Sequence, residues 1–427
     1  MKIMNVKGTV DSLPSKEIIR RKVVNTLTDT FEKYGYLPLD TSILCYYDLL
    51  ASKYSGGSEI LKEVYTLKDQ GDRTLGLRYD LTVPFSKVIS MNAGKTINLP
   101  FKRYEIGKVF RDGPVKTGRA REFYQCDVDV CGIEGSFIEA EMLMMTIECY
   151  KKLGIEVYVE INNRKLLEGF IISSGIDKEL TSKVILSVDK LAKIGEDGVR
   201  EELKEYNIAS EKLDNLFSLF KCNINELDNM NIDNEEFIEG KSEIKELFSY
   251  IDYLDLNEYA RFTPYLARGL EIYTGTVWEI FDKTGEFKSA LGGGGRYDKI
   301  ITNFLHNGEE YPAIGMSFGL EPMYTLLKER ESKELKKYDV YVYSFNNDKY
   351  LFEISNMLRQ NNIKVLTELN NIKLKKAMNN ANREKINKVI IIGEDELKNN
   401  SVTLKDMVTG NQELVKIEDI VSKIKEM

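Results

Sequence analysis

At 427 residues, with 42% hydrophobic and 30% charged side chains, the chain is long enough for two or three domains with sizeable cores. A formal net charge of −8 argues against bulk electrostatic coating of nucleic acid, though not against local basic docking surfaces. No stretch approaches the roughly 18 apolar residues of a membrane span, five cysteines form no CxxC pair, and one histidine, His306, leaves no His-based triad or His-rich metal site.

The opening MKIMNVKGTVDSLP lacks an apolar signal core, and an odd cysteine count without metal spacing fits a reducing interior, so a cytoplasmic protein is expected. Apolar residues at Ile18, Ile19, Val23, Val24, Leu27 and Phe31 predict a helix over Ser15–Tyr34, with Ser15 and Glu17 as its cap and Gly35 as its stop. A strand at Thr74–Arg78 then delivers Tyr79-Asp80-Leu81-Thr82 before Pro84 opens a helix, with Thr82 placed to cap it. Asn92-Ala93-Gly94-Lys95-Thr96 imitates a P-loop ending, but position 89 is isoleucine where the first glycine belongs.

Phe101–Gly132 carries the densest chemistry. Tyr104–Phe110 alternates like a strand and ends in Arg111; a Gly/Pro loop with Arg119 and Arg121 follows; Glu122–Cys131 returns as a second strand. By the period of two, Phe123, Gln125, Asp127 and Asp129 share one face of that return strand. One ring, one amide and two carboxylates suit a core poorly. Arg111, Arg119 and Arg121 could share an anion through planar, permanently charged forks. The hairpin therefore reads as a site for an anion beside a cationic ligand.

Ser136–Leu153 is an amphipathic helix whose inner Ile138, Met142, Met145 and Cys149 are core filler, and Ile155–Ile161 a strand. Residues 166–250 are Lys/Glu/Leu-rich and read as an inserted helical module with solvated faces. Four consecutive glycines in Ser289–Tyr297 (SALGGGGRY) permit close backbone approach to a ligand, with Arg296, Tyr297 and Asp298 beside it. Ala313–Pro322 is a small-residue strand running into a helix. A charged linker, 329–337, precedes a tail, 338–427, whose alternating elements predict a small α/β domain with a largely parallel sheet.

The hairpin resembles motif 2 of the class II aminoacyl-tRNA synthetases, and its Arg121-Glu122-Phe123-Tyr124-Gln125-Cys126-Asp127-Val128-Asp129 is similar to the histidyl-tRNA synthetase version. Residues 265–279 resemble the first histidine-specific signature, usually R-G-L-D-Y-Y, keeping Arg268 and Tyr273 but holding Glu271 and Ile272. Gly294-Gly295-Arg296-Tyr297-Asp298 resembles the second. Ser15–Ser42 resembles motif 1, with Ser42 where a proline is usual. Residues 313–322 resemble motif 3, with Pro322 where the family has an arginine for the terminal phosphates of ATP. Either another cation, Arg119 or magnesium, covers that phosphate, or activation is weakened. Residues 391–406 resemble the family's anticodon-binding domain.

The resemblance implies a mixed α/β fold: a class II catalytic core over 1–328, built on an antiparallel sheet and including the 166–250 insertion beside the tRNA acceptor arm, and a C-terminal anticodon-binding α/β domain. It implies ATP-dependent activation of histidine to histidyl-adenylate and transfer to tRNA(His), with Mg2+ accompanying ATP, in a homodimer. Arg111 and Arg268 would be catalytic, Arg111 bridging the amino-acid carboxylate and α-phosphate with Arg268 on the other side. Arg111, Arg119 and Phe123 would hold ATP, Phe123 stacking on adenine. Asp80, Thr82 and Gln125 would hold the α-amino end of histidine, and Asp129 and Tyr273 its imidazole. Pro322 and Ile272 favour a different class, a histidine-sensing non-catalytic paralogue such as a regulatory subunit of ATP phosphoribosyltransferase, whereas the tail and the retained Arg111, Gln125, Asp129 and Arg268 favour the ligase.

Overall fold

Alternation of apolar and polar residues along the hairpin builds the middle of an eight-stranded sheet in the computed structural model, which describes residues 3–51, 59–115, 120–268, 272–305, 309–334, 337–346 and 349–426. The strands lie in the order Leu37–Pro38, Phe101–Phe110, Glu122–Cys131, Ala313–Phe318, Gly292–Arg296, Thr276–Asp282, Val157–Asn163 and Ala260–Phe262. The six inner strands pair antiparallel, and only the two edge strands join in parallel.

One face of this sheet is apolar. Cys126, Val128, Val130, Ile314, Met316, Trp278 and Ile280 pack there with Val23, Leu27 and Phe31 of helix Pro14–Lys33 and Ile138, Met142 and Met145 of helix Phe137–Leu153. The methionines fill core as their spacing implied. Helix Pro14–Lys33 starts one residue earlier than the sequence suggests. Pro14 holds its first position and no side chain caps it, so Ser15 and Glu17 do not form the expected cap. Helix Phe137–Leu153 stops where Gly154 turns left-handed at φ 64°.

Within residues 164–253 lie helices Arg164–Ser173, Thr181–Val188, Leu191–Lys204, Ser210–Leu219 and Glu235–Tyr253. Asn163 and Asn234 cap the first and last by accepting main-chain amides. Those two helices touch backbone to backbone: a Cβ on Gly240 would meet Leu166 N at 2.2 Å. Leu166, Phe170, Phe237 and Ile244 belong to the same core as the sheet, so this helical run is fused to it rather than appended.

The chain divides into Met1–Glu329 and Arg330–Met427. Helix Leu320–Glu334 runs through most of the stretch read as a linker. In the second unit a five-stranded sheet is ordered Val365–Thr367, Val340–Ser344, Lys388–Ile392, Ser401–Asp406, Gln412–Lys416. The first three strands pair in parallel, Ser401–Asp406 runs against them and Gln412–Lys416 reverses again, so the sheet is mixed, with two parallel and two antiparallel pairings, where the sequence predicts a largely parallel one. The cause is connection length. A five-residue helix, Glu394–Lys398, and a turn through Gly410 are too short for parallel crossovers.

Candidate functional site

The second face of the large sheet is polar in the middle and bare at one side. Cross-strand pairs Arg103 with Asp129, Glu105 with Asp127, Gly107 with Gln125 and Val109 with Phe123 put the hairpin's polar residues on this face. The register continues from Asp129 to Gly315 and Asp127 to Ser317, then to Gly295 and Gly293, then to Val277 and Glu279. Strand spacing of about 4.8 Å places Gly293 about 10 Å from Asp127, roughly the width of a small amino acid.

The glycine run serves two purposes. Gly293 and Gly295 open the site face. A Cβ on Gly293 would lie 2.1 Å from Arg268 Nη1, and one on Gly295 2.8 Å from Tyr273 Cδ1. Gly292 and Gly294 face the other way, where a Cβ would meet Ser317 O at 2.6 Å and Gly315 O at 2.1 Å. Arg296 shares that rear face. It is buried, pairs with Glu139 at 2.8 Å and donates to the carbonyls of Ile133 and Gly135, so it braces the sheet and does not approach the site.

Arg268 lies over this glycine floor. Its Nη1 is 3.3 Å from Glu279 Oε1, its guanidinium carbon is 5.4 Å from the Tyr273 ring centre, and its Nε is buried without an acceptor among the described residues. Asn162 steadies the preceding loop by donating to the carbonyls of Pro264 and Leu266, both at 2.9 Å. Burial pushes the Glu279 carboxyl up, while Arg268 opposes that shift.

At the hairpin end, Arg111 Nε donates to Tyr79 O at 3.1 Å, and its guanidinium carbon lies 5.1 Å from the Phe123 ring centre. Phe123 and Gln125 are half-buried, and Gln125 Oε1 is an acceptor without a donor among the described residues. Arg121 does not join a shared anion site. It pairs with Asp112 at 3.1 Å and donates to Gly113 O, closing its own loop. Arg119 and Glu271 lie outside the described residues.

Asp80 is buried, and its Oδ1 accepts the Val83 amide at 3.0 Å. Asp80 thus satisfies the first turn of helix Thr82–Asn92, the task the sequence reading gave to Thr82. Thr82 is instead the first, half-buried residue of that helix. Asp129 is buried over Gly315, whose Cβ would come within 2.0 Å of its Oδ1. Tyr297 donates its hydroxyl to that oxygen, and Arg103 Nη2 lies 2.6 Å from Oδ2. Burial and the Asp129 charge hold the Tyr297 phenol well above its usual range. Ile272 is buried with Phe85, Ile89 and Tyr297, completing an apolar wall.

Sequence reasoning passed over the group beneath these residues. Arg78 and Arg103 are both buried beside Glu105. Arg78 Nη1 is 2.7 Å from Glu105 Oε1, which also accepts from Thr41 N and Oγ1 at 2.9 and 2.8 Å. The available signal was two opposite charges, Arg103 and Glu105, at inward positions of one alternating strand.

Burial and the neighbouring Asp129 charge push the Asp127 carboxyl up to about 7, with Arg103 opposing. An acid whose pKa rises on folding binds its proton more tightly in the folded state. Stability therefore falls as pH rises from about 4 to about 7 and stays lowered above that. Asp127→Asn, which keeps an acceptor for Ser317, should be more stable than wild type at pH 8, with the difference shrinking as pH falls toward 4. Urea unfolding of both proteins across that range checks it; an advantage that does not change with pH would refute the assignment.

A family profile described as histidyl-tRNA synthetase matches residues 8–323, and one described as anticodon binding domain matches residues 339–427. The chain is 47% identical over 417 residues to histidine--tRNA ligase 1 of Bacillus cereus (strain ATCC 10987 / NRS 248), covering 96% of this chain and 95% of that protein. Among solved structures, histidyl-tRNA synthetase from Nostoc sp. PCC 7120 aligns with a TM-score of 0.87 at 27% identity, over 100% of this chain and 99% of that one. An ATP phosphoribosyltransferase regulatory subunit/histidyl-tRNA synthetase from Bacillus halodurans C shares the fold, with a TM-score of 0.75 at 19% identity over 92% of this chain and 99% of that one. A profile that takes in every strand of the eight-stranded sheet and a relative 47% identical over 96% of the chain lead to one conclusion: the chain belongs to the histidyl-tRNA synthetase family.

Proposed function

We propose that this chain is a histidine--tRNA ligase. A histidine carboxylate oxygen attacks the α-phosphorus of ATP, forming the histidyl-adenylate as pyrophosphate leaves. A ribose hydroxyl at the 3′ end of tRNA(His) then attacks the acyl carbon, and AMP leaves. The first step brings two anions together, so catalysis rests on positioning and charge neutralisation.

The observation that carries this reading is one sheet face on which Arg268 stands over Gly293 while Asp129 stands one strand farther on, over Gly315. That is a cation and a carboxylate held apart across a floor without side chains. In this reading Arg268 and Arg111 neutralise the carboxylate and α-phosphate, Phe123 stacks on adenine, and Arg119 reaches the phosphates. Asp80, Thr82 and Gln125 take the ammonium, the buried Gln125 Oε1 being suited to such a donor. Asp129 and Tyr273 take the imidazole nitrogens.

Among the described residues no three His, Cys, Asp or Glu side chains gather to hold a metal, and we read Mg2+ as arriving on the triphosphate. The 338–427 region would bind the anticodon arm. We read the enzyme as a homodimer, as the family resemblance implies, with the exposed Val6, Val10, Leu13, Leu44 and Tyr46 as residues a second copy could cover. No described helix is long and apolar enough to cross a membrane, and four of the five free cysteines are buried; both fit a cytoplasmic enzyme.

Pro322, in the first turn of its helix, supplies no charge for the terminal phosphates and favours a second reading, a histidine sensor without ligase activity. Histidine-dependent ATP–pyrophosphate exchange by the purified chain separates the two. We expect exchange with histidine and not with other amino acids, followed by charging of tRNA(His). Histidine binding without exchange would move the assignment to the sensor.

A further inference from the structure

Arg103 touches both ends of the amino-acid pocket yet reaches no solvent. Its side chain is fully buried on the site face. Nη2 lies 2.6 Å from Asp129 Oδ2 and also donates to Leu81 O at 3.0 Å. Leu81 is the residue between Asp80 and Thr82. Nη1 lies 3.5 Å from Glu105 Oε2, and the guanidinium carbon rests 4.7 Å from the Phe85 ring centre. Arg111 holds the residue before Asp80, through Tyr79 O, as Arg103 holds the residue after it. The two arginines thus bracket Asp80.

We propose that Arg103 is a positioning residue that fixes the distance between Asp129 and the Asp80–Thr82 turn, and thereby sets which amino-acid side chain the pocket accepts. The proposal rests on the reading of Asp129 as the imidazole acceptor and Asp80 as an ammonium acceptor. A guanidinium suits the task because its Nη2 carries two N–H bonds fixed in the guanidinium plane, one for Asp129 and one for Leu81 O, whereas an ammonium rotates on a mobile stem. The Asp129 charge is already met from below by Arg103 and by the Tyr297 hydroxyl, so its carboxylate is held in one orientation toward the pocket. A ligand ring with an N–H aimed along that orientation is selected over one that cannot form that hydrogen bond.

The test uses Arg103→Lys, which keeps the buried charge but lacks the planar N–H pair aimed at Asp129 and Leu81 O, and Arg103→Gln, which keeps a donor without the charge. Histidine affinity by calorimetry and ATP–pyrophosphate exchange are measured for wild type and both variants. Exchange is run with histidine and with 3-(4-thiazolyl)alanine, whose ring keeps the nitrogen next to the attachment carbon and carries sulfur in place of the far N–H. For Arg103→Lys we expect about tenfold weaker histidine binding and KM, a fall in kcat below about threefold, an ATP KM within about twofold, and about tenfold poorer discrimination against thiazolylalanine. Arg103→Gln should be worse on every histidine measure. Unchanged discrimination, or histidine and ATP weakened alike, would overturn the proposal, since a general loosening of the core predicts the latter. Wild type that binds histidine without exchange would sink the ligase reading and leave Arg103 judged on affinity alone. Wild type that binds no histidine would overturn both.

Discussion

Arg268→Ala should lower histidine-dependent ATP–pyrophosphate exchange by about a thousandfold while leaving the fold intact. The size follows from what the group does in the proposed reaction, because removing a preorganised donor from developing negative charge costs about 10²–10³ in rate. Tolerance of the fold follows from its surroundings. The side chain is about 21% exposed, and its contacts are an ion pair with Glu279, a long bond to Trp278 O and the Tyr273 ring. The one charged group that loses its partner is Glu279, whose carboxyl burial already pushes up. Gly293→Ala acts on the same group from below, since its Cβ would sit 2.1 Å from Nη1, and should cost about a hundredfold. Variant proteins retaining more than a tenth of wild-type exchange, at an unchanged melting temperature, would remove Arg268 from the chemistry.

Arg78→Met should produce the largest loss of stability, on the order of 3–5 kcal/mol by urea unfolding. The guanidinium is buried with Glu105 at 2.7 Å, Thr41 O at 2.7 Å, Thr41 Oγ1 at 2.9 Å and Lys108 O at 3.0 Å. Methionine has similar length but would leave Glu105 with the Thr41 donors and with Arg103, 3.5 Å away, as its cation, and would remove a donor from two carbonyls. The space is made by Gly107, whose Cβ would lie 2.2 Å from Arg78 Nη2, so Gly107→Ala should destabilise through the same residue. A loss below about 1 kcal/mol would mean that water or a shifted Arg103 replaces these bonds.

Local pattern carried the hairpin well because a strand writes its faces into a period of two. Phe123, Gln125, Asp127 and Asp129 do share the site face, and Tyr124, Cys126, Val128 and Val130 do face the core. What escaped were partnerships across long stretches of chain. Asp129 meets Tyr297, 168 positions away, and Thr41 meets Glu105, 64 away; nothing near Glu105 announces either its burial or its two arginines. The four glycines read as one feature, yet alternation splits them between site and core. The exchange of Asp80 for Thr82 at the helix start has a local cause, since an aspartate two residues earlier reaches the Val83 amide first. The tail was misjudged for a similar reason. Ile390, Ile391 and Ile392 look like any buried strand, and strand direction is decided by the short connections that follow.

The floor of glycines at 293, 295 and 315 also bears on redesign. A surface without side chains offers nothing to trim, so if histidine lies there as proposed, accommodating a bulkier amino acid cannot be achieved by shaving residues beneath it. Any added atom there collides with Arg268, Tyr273 or Asp129 before it meets the ligand. Selectivity in this scaffold would therefore have to be rewritten from the walls, through the Ile272–Tyr273 segment and the turn at Asp80, while the plane beneath stays as it is.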